Sequence, residues 1–148
     1  MKKVKELLAK KTLRFNTISA ESRVIDALAL MKTEGDSYVI VMEKGNYIGV
    51  MSERDYSHKI ILAGKNSSET KVKDIMTKDM PVVDTDESID RCMELMLAFK
   101  THYLPAFDEF EFKGVITLHD LMNASMEENK RASKEYANFG TAHQHYWI

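Results

Sequence analysis

Two short stretches of the sequence share a residue spacing that suits a nucleoside phosphate. In each, glycine precedes two apolar residues, a hydroxyl residue and, three positions further on, aspartate, giving Ser52-x-x-Asp55 and Thr117-x-x-Asp120. Where the hydroxyl residue opens a helix, the unpaired first amides and the positive end of the helix dipole attract phosphate. The aspartate in the first turn can accept hydrogen bonds from two adjacent ribose hydroxyls. The spacing therefore indicates a nucleotide-binding chemistry.

The same spacing also fits a purely structural role. A hydroxyl residue followed three positions later by an acid is close to the capping box, in which the first turn of a helix satisfies its own polar groups. A single copy would favour that interpretation. Two copies at equivalent positions, each after a predicted buried strand, favour ligand binding.

The two motifs belong to an internal repeat. A shift of 65 residues aligns residues 24–55 with residues 89–120 without a gap. Upstream, residues 4–7 resemble residues 72–75 at a shift of 68. A repeat of this length predicts two similar structural units.

Each unit is predicted to contain a strand, a helix, two strands and a closing helix. The short first strands are Thr17-Ile18 and Val82-Val83, and the helices that follow have N-cap candidates in Ser22 and in Asp86 or Ser88. The paired strands are predicted at 38–42 and 47–51 in the first unit, and at 103–107 and 112–116 in the second. The closing helices are predicted at 53–63, with Gly64 as the stop, and at 118–126.

These elements predict an α/β fold of two repeats that pack against each other about a pseudo-twofold axis. The predicted units are residues 4–66 and 70–126, followed by a helical or irregular extension at 127–148. Each unit alone is too small to bury much apolar surface. Packing of the two sheets would leave two equivalent clefts where the units meet.

In these motifs and their arrangement, the sequence resembles a tandem pair of cystathionine β-synthase (CBS) domains, called a Bateman module. The resemblance covers about residues 4–126, and residues 48–55 and 72–77 look like stand-alone bacterial-type members. It implies a regulatory module that binds an adenosine-containing ligand, AMP or ATP and less often S-adenosylmethionine or NAD. It also implies no required cofactor, no catalysis, pairing into a homodimer and signalling through that dimer or a regulated partner protein. A degenerate module that only dimerises remains an alternative.

The resemblance assigns roles to individual residues. Asp55 and Asp120 would hold ribose hydroxyls, and Ser52 and Thr117 would bond to ribose or phosphate. The wall against adenine would come from Tyr38, Val39, Tyr103, Leu104 and Pro105, and the first strands would close the other side with Thr17, Ile18, Val82 and Val83.

Two differences between the units bear on the clefts. Pro105 matches the family's hydrophobic-proline step, whereas the first unit has Ile40 there, which leaves occupancy of the first cleft open. Arg54 in the first unit corresponds to His119 in the second. Because a guanidinium suits phosphate, Arg54 is predicted to attract the phosphate of a nucleotide whose ribose Asp120 holds. The alternative is a solvated arginine.

Composition excludes several other classes of protein. The 148 residues carry 21 Lys and Arg against 23 Asp and Glu, a net charge of −2, which argues against a nucleic-acid binder with a basic surface. The longest apolar runs are too short to span a membrane. The single Cys92 cannot form an internal disulfide, so a cytoplasmic protein is expected.

His143 and His145 have no third ligand nearby, so no metal site is predicted. The chain also lacks the common nucleophile, Walker and metalloprotease motifs, so no catalytic residue is predicted.

Overall fold

Each half of the chain folds into a three-stranded sheet flanked by helices, in a computed structural model that describes residues 2–11 and 16–142. The first half contains α1 (Val4–Ala9), β1 (Thr17–Ile18), α2 (Val24–Glu34), β2 (Tyr38–Glu43), β3 (Asn46–Ser52) and α3 (Glu53–Tyr56), which continues into a π-helical turn at Ser57–Ile61. A 3₁₀ turn at Val72–Asp74 leads to the second half, which contains β4 (Val83–Asp84), α4 (Ile89–Phe99), β5 (Tyr103–Asp108), β6 (Glu111–Thr117) and α5 (Leu118–Ala142). This order confirms the predicted α/β class.

The two sheets have the same topology. In the first, β2 pairs in parallel with β1 and antiparallel with β3, and Tyr38 lies opposite Ser52. In the second, β5 occupies the same central place, and Tyr103 lies opposite Thr117. Even the irregularities repeat, since the registers shift after Val41 and after Ala106. The repeat predicted at a shift of 65 residues is therefore confirmed.

The segment that precedes each repeat packs on the other repeat. The amides of Val4 and Lys5 in α1 donate to the carbonyls of Glu87 and Thr85 in the second half, at 2.9 Å each. At the positions equivalent by the shift of 68, the amides of Val72 and Lys73 donate to carbonyls of the first half at 2.8 and 2.9 Å. The apolar contacts agree, because Val4, Leu7 and Leu8 are buried in the core of the second half, and Val72 and Ile75 in that of the first. The halves thus exchange these short segments, called here the exchanged segments, residues 2–11 and 70–77.

Aromatic stacking joins the two repeats. Tyr38 stacks on Tyr103, the residue 65 positions later, with ring centroids 4.5 Å apart. Tyr47 stacks on Phe112, again 65 positions later, at 5.2 Å. Residues that contact their own repeat equivalents lie close to the symmetry axis. The two repeats therefore pack about a pseudo-twofold axis, as predicted.

Two local predictions need correction, and a third holds. The first strand of the second half runs from Val83 to Asp84, because those residues pair with β5, whereas Val82 is 50% exposed and lies outside the ladder. Ser22 is not the N-cap of α2, since Arg23 holds that place and the first helical amide donates to the carbonyl of Thr70. Ser88, in contrast, does cap α4 by accepting from a helical amide.

The closing helices differ greatly in length. The α-helix of the first half is four residues long before the π-helical turn, and Gly64 follows with a φ of 67°, the left-handed conformation expected of a stop. The closing helix of the second half does not end at residue 126 but runs 25 residues to Ala142. No proline interrupts this stretch, and most of residues 126–135 are strong helix formers, namely Met, Glu, Lys, Arg and Ala. Among the described residues, no helix combines the length and apolarity needed to cross a membrane.

Candidate functional site

The pseudo-twofold axis relates two clefts of unequal size. The larger, of about 670 Å³, lies where the junction of β6 and α5 faces residues 35–38 of the first half. The smaller, of about 180 Å³, lies where the junction of β3 and α3 faces residues 100–103. The larger falls within the size range of small-molecule sites in proteins. The sequence predicted two equivalent clefts, and the structure makes them different.

Thr117 and Asp120 form a reciprocal cap at the start of α5. The Thr117 amide donates to Asp120 Oδ2 at 2.9 Å, and the Asp120 amide donates to Thr117 Oγ1 at 3.2 Å. The capping interpretation of the motif therefore holds, yet it does not use the whole carboxylate. Within the described part of the chain, Asp120 Oδ1 has no hydrogen-bond partner, and the side chain lines the larger cleft at 15% exposure.

Lys11 is a second charged group at Asp120. Its Nζ lies 2.8 Å from Asp120 Oδ2 and donates to the carbonyl of Val115 at 2.8 Å. Lys11 lies two residues after the end of α1, so the exchanged segment places this lysine in the larger cleft. Lys11 was not predicted from the sequence. The similarity of residues 4–7 to residues 72–75 indicated a segment ahead of each repeat, but not which repeat that segment packs on.

The facing wall of the larger cleft comes from the loop after α2 and from Tyr38. Asp36 and Ser37 lie in this loop, and His102 approaches from the second half. Burial raises the pKa of Tyr38, and the nearby carboxylates of Asp36 and Asp120 add to that effect. Asp36 and His102 were also not predicted from sequence, since neither belongs to the repeated motif.

Asp55 has the same motif position as Asp120, but its carboxylate is fully engaged. Asp55 Oδ2 accepts from the amide and the hydroxyl of Ser52 at 2.9 and 3.1 Å. Asp55 Oδ1 accepts from Thr77 Oγ1 at 2.7 Å and pairs with Lys59 Nζ at 2.9 Å. With the residue only 5% exposed, both oxygens are committed to the fold.

The glycines ahead of the motifs have different surroundings in the two halves. A Cβ built on Gly49 would lie 2.8 Å from the backbone oxygen of Thr77, since residues 50 and 77 bond to each other through both amides. A Cβ on Gly114 would instead meet only a methyl group of Leu8, at 3.1 Å. Among the described residues, backbone thus covers the first position, and only the flexible end of a side chain reaches the second.

The remaining predicted site residues lie in several places. Arg54 lines the smaller cleft beside Ser52 and Tyr103, so the structure does not bring it into the cleft that Asp120 lines. Tyr38, Tyr103, Thr117 and His119 line the larger cleft. The others do not line either cleft, namely Thr17, Ile18, Val39, Val82, Val83, Leu104 and Pro105.

Burial accounts for much of that last group. The side chains of Val39 and Leu104 are fully buried, each in the core of its own repeat. Val83 also belongs to the core of the second repeat. Thr17 is exposed and lies at the outer strand of its sheet.

No metal-binding cluster of three His, Cys, Asp or Glu side chains occurs in the described ranges 2–11 and 16–142. His143 and His145 lie outside the described residues. Cys92 is buried in the core of the second half, and that burial raises the pKa of its thiol to about 11. A thiol in this setting is a packing residue.

The CBS-domain family model matches the chain twice, at residues 4–61 and 72–127. Among curated relatives, the mitochondrial CBS domain-containing protein CBSX3 of Arabidopsis thaliana is 28% identical over 117 residues, covering 76% of this chain and 57% of the relative. An inosine-5′-monophosphate dehydrogenase of Methanocaldococcus jannaschii is 30% identical, but the match covers 82% of this chain and only 23% of that enzyme.

A solved structure shows the same architecture. A protein with CBS domains from Burkholderia ambifaria superposes with a TM-score of 0.81 at 29% identity, over 85% of this chain and 95% of that one. The chain spans about half the length of the first curated relatives it matches, with shares of 57, 54 and 45%.

Proposed function

The chain belongs to the CBS-domain family as a tandem pair, and we propose that it binds one adenine nucleotide, AMP or ATP, as a regulatory ligand. Tandem CBS modules are regulatory units, often nucleotide-binding, without catalysis of their own. In this proposal the nucleotide occupies the larger cleft and the chain itself performs no reaction.

The observation that carries the proposal is the difference in hydrogen bonding between the carboxylates of Asp55 and Asp120. Asp120 keeps one carboxylate oxygen without a partner among the described residues, beside the first turn of a helix of 25 residues and in a cleft of about 670 Å³. A ribose diol donates two hydrogen bonds to such a carboxylate, and the helix start attracts phosphate. Asp55, with both oxygens engaged, supports occupancy of one cleft only.

A second ligand is favoured by the charge of the cleft. Among its described lining residues, Asp36 and Asp120 face a single lysine, Lys11. This acidic balance would also suit an adenosyl compound that carries positive charge, such as S-adenosylmethionine. It is the second candidate, and the two ligands can be compared directly in one binding panel.

We also propose that the module acts as a homodimer. Large apolar side chains stay exposed on both closing segments, with Leu62 at 78% and Met122 at 53% exposure. Exposed apolar surface of this kind marks interaction sites. Most homo-oligomers are twofold, so a second copy is the simplest partner for these segments.

Calorimetry with AMP, ATP, S-adenosylmethionine and NADH tests the ligand. We expect Asp120→Asn to weaken AMP binding about ten- to a hundredfold, because hydrogen bonds to a charged group contribute roughly 1.5–3 kcal/mol. Arg54→Ala is the control, since of the two clefts Arg54 lines the smaller and not the larger, and it should leave AMP affinity unchanged. Circular dichroism verifies that both variants fold.

Two results would contradict the proposal. The first is a wild-type protein that binds none of the four compounds, which would favour a module that only dimerises. The second is an Asp120→Asn variant with wild-type affinity. Conversion of AMP or ATP to product by the purified protein would refute the absence of catalysis.

A further inference from the structure

We propose that Lys11 selects phosphorylated nucleotides over nucleosides by exchanging its partner from Asp120 to the ligand phosphate. The inference rests on the proposed function, because it concerns the same cleft. It adds a residue outside the repeated motif, and it assigns to that residue the choice between AMP and adenosine.

The position of Lys11 is the first support. Its Nζ lies within 2.8 Å of both Asp120 Oδ2 and the carbonyl oxygen of Val115, and its side chain is 33% exposed. It is therefore held inside the cleft rather than on the open surface. A lysine has a flexible four-carbon stem and three donors, so its ammonium can turn from one oxygen partner to another while the backbone stays in place.

The charge of the cleft is the second support. Lys11 is the one Lys or Arg among the described residues that line the larger cleft, where Asp36 and Asp120 supply negative charge. Without a cation, these two carboxylates would repel a phosphate and oppose the attraction exerted by the start of α5. Of the described residues that line this cleft, only Lys11 is a lysine or arginine, whose positive charge favours a phosphate.

The limited number of hydrogen bonds that Asp120 can accept is the third support, because it favours AMP over adenosine. A ribose diol uses both carboxylate oxygens, yet Lys11 already occupies Oδ2. When the ribose of AMP displaces Lys11 from Asp120, the phosphate of AMP can pair with Lys11, so one ion pair replaces another. Adenosine offers no such replacement, and its diol must compete with the lysine. The cleft should therefore bind AMP more tightly than adenosine.

The exchange also acts on α1. Lys11 comes two residues after the end of this helix, and α1 is tied to the second half through the amides of Val4 and Lys5. Leu8 of the same helix lies against Gly114 in the cleft wall. A change of partner at Lys11 would thus directly alter a contact made by the first exchanged segment, residues 2–11.

The test compares AMP with adenosine by calorimetry on the full chain. In Lys11→Met we expect AMP affinity to fall about tenfold or more, while adenosine affinity stays equal or rises, because Asp120 Oδ2 is released. Lys11→Arg should retain most of the preference for AMP. Lys10→Met is the matched control, since Lys10 pairs with Glu127 and does not line the larger cleft, and it should change neither affinity.

The outcomes separate this inference from the proposed function. If the wild-type protein binds AMP but Lys11→Met weakens AMP and adenosine equally, Lys11 only supports the fold of the cleft and the inference is wrong. Unchanged AMP affinity in Lys11→Met also overturns it, while the proposed function survives. A wild-type protein that binds neither ligand refutes both.

Discussion

Glu127 shows how single residues tie the N-terminal segment to α5. Its Oε2 accepts from Lys2 Nζ at 2.9 Å and from Lys10 Nζ at 3.1 Å. These two hydrogen bonds lower the pKa of the carboxyl from 4.5 to about 2. A carboxyl whose pKa is lower in the folded state than in the unfolded state stabilises the fold at pH values above its unfolded-state pKa. This stabilisation is lost as the pH falls towards the folded-state pKa.

The pH dependence of this contact is a testable prediction. Glu127→Gln should reduce the free energy of unfolding at about pH 7, and the difference from wild type should shrink as pH falls from about 4.5 to about 2. Urea unfolding of both proteins at several pH values measures this difference in unfolding free energy. Glu128→Gln is the control, because Glu128 makes no ion pair within residues 2–11 and 16–137. A difference that stays constant with pH would contradict the prediction.

At the residue scale, the sequence predicted the motif aspartates but not their different roles. Spacing alone identified Asp55 and Asp120 as equivalent, and both do close the first turn of a helix. Their difference arises from Thr77 and Lys59 at one site and Lys11 at the other. Thr77 and Lys11 come from the exchanged segments, whose crossing to the other half depends on tertiary packing that local patterns do not encode.

At the scale of elements, the exchanged segments should contribute equally to their host cores. Leu7 and Ile75 occupy equivalent positions at the shift of 68 and are only 6 and 1% exposed. We expect Leu7→Ala and Ile75→Ala each to cost about 2–5 kcal/mol of unfolding free energy, the usual range for such buried truncations. Chemical denaturation followed by circular dichroism provides the values.

A surface leucine gives the comparison for this experiment. Leu97 is 74% exposed and lies outside both closing segments, so Leu97→Ala should stay within about 0.5 kcal/mol of wild type. If Leu7→Ala costs no more than Leu97→Ala, α1 does not belong to the core of the second half.

Periodicity and turn residues predicted the interiors of elements better than their ends. The paired strands and Gly64 lie where the alternating pattern and the turn residues placed them. The end of α5 and the start of α2 were predicted wrongly. In α2, a backbone carbonyl of the connecting segment takes the role expected of Ser22, and sequence contains no sign of such a remote partner.

At the scale of the whole molecule, the fold follows from the repeat, whereas the inequality of the clefts does not. Two sequences that align without a gap over residues 24–55 predict two similar units, and the structure contains them. The symmetry also ends at the two motif glycines, because among the described residues backbone of Thr77 lies against Gly49, whereas only a methyl group of Leu8 lies against Gly114. A single prominent site in a symmetric scaffold is the result.

Self-association is the prediction that belongs to this scale. Light scattering should give about twice the mass of the 17.0 kDa chain at micromolar concentration. Placing charge on both exposed closing segments, with Leu62→Glu and Met122→Glu together, should shift the protein to monomer. Glu53→Gln, a change at an exposed polar residue, serves as the control. A monomeric wild-type protein would refute the proposed dimer.

The exchanged segments bear on how such a chain can have arisen. Each repeat completes its core with a short segment attached to the other, as the subunits of a domain-swapped dimer do. Two separate copies of a single ancestral repeat, each lending its first segment to its neighbour, would build the same pair of sheets. Gene duplication and fusion would then have joined a domain-swapped dimer into one polypeptide. Once joined, the two halves could diverge, and in the present chain the two clefts differ in volume, at about 670 and 180 Å³.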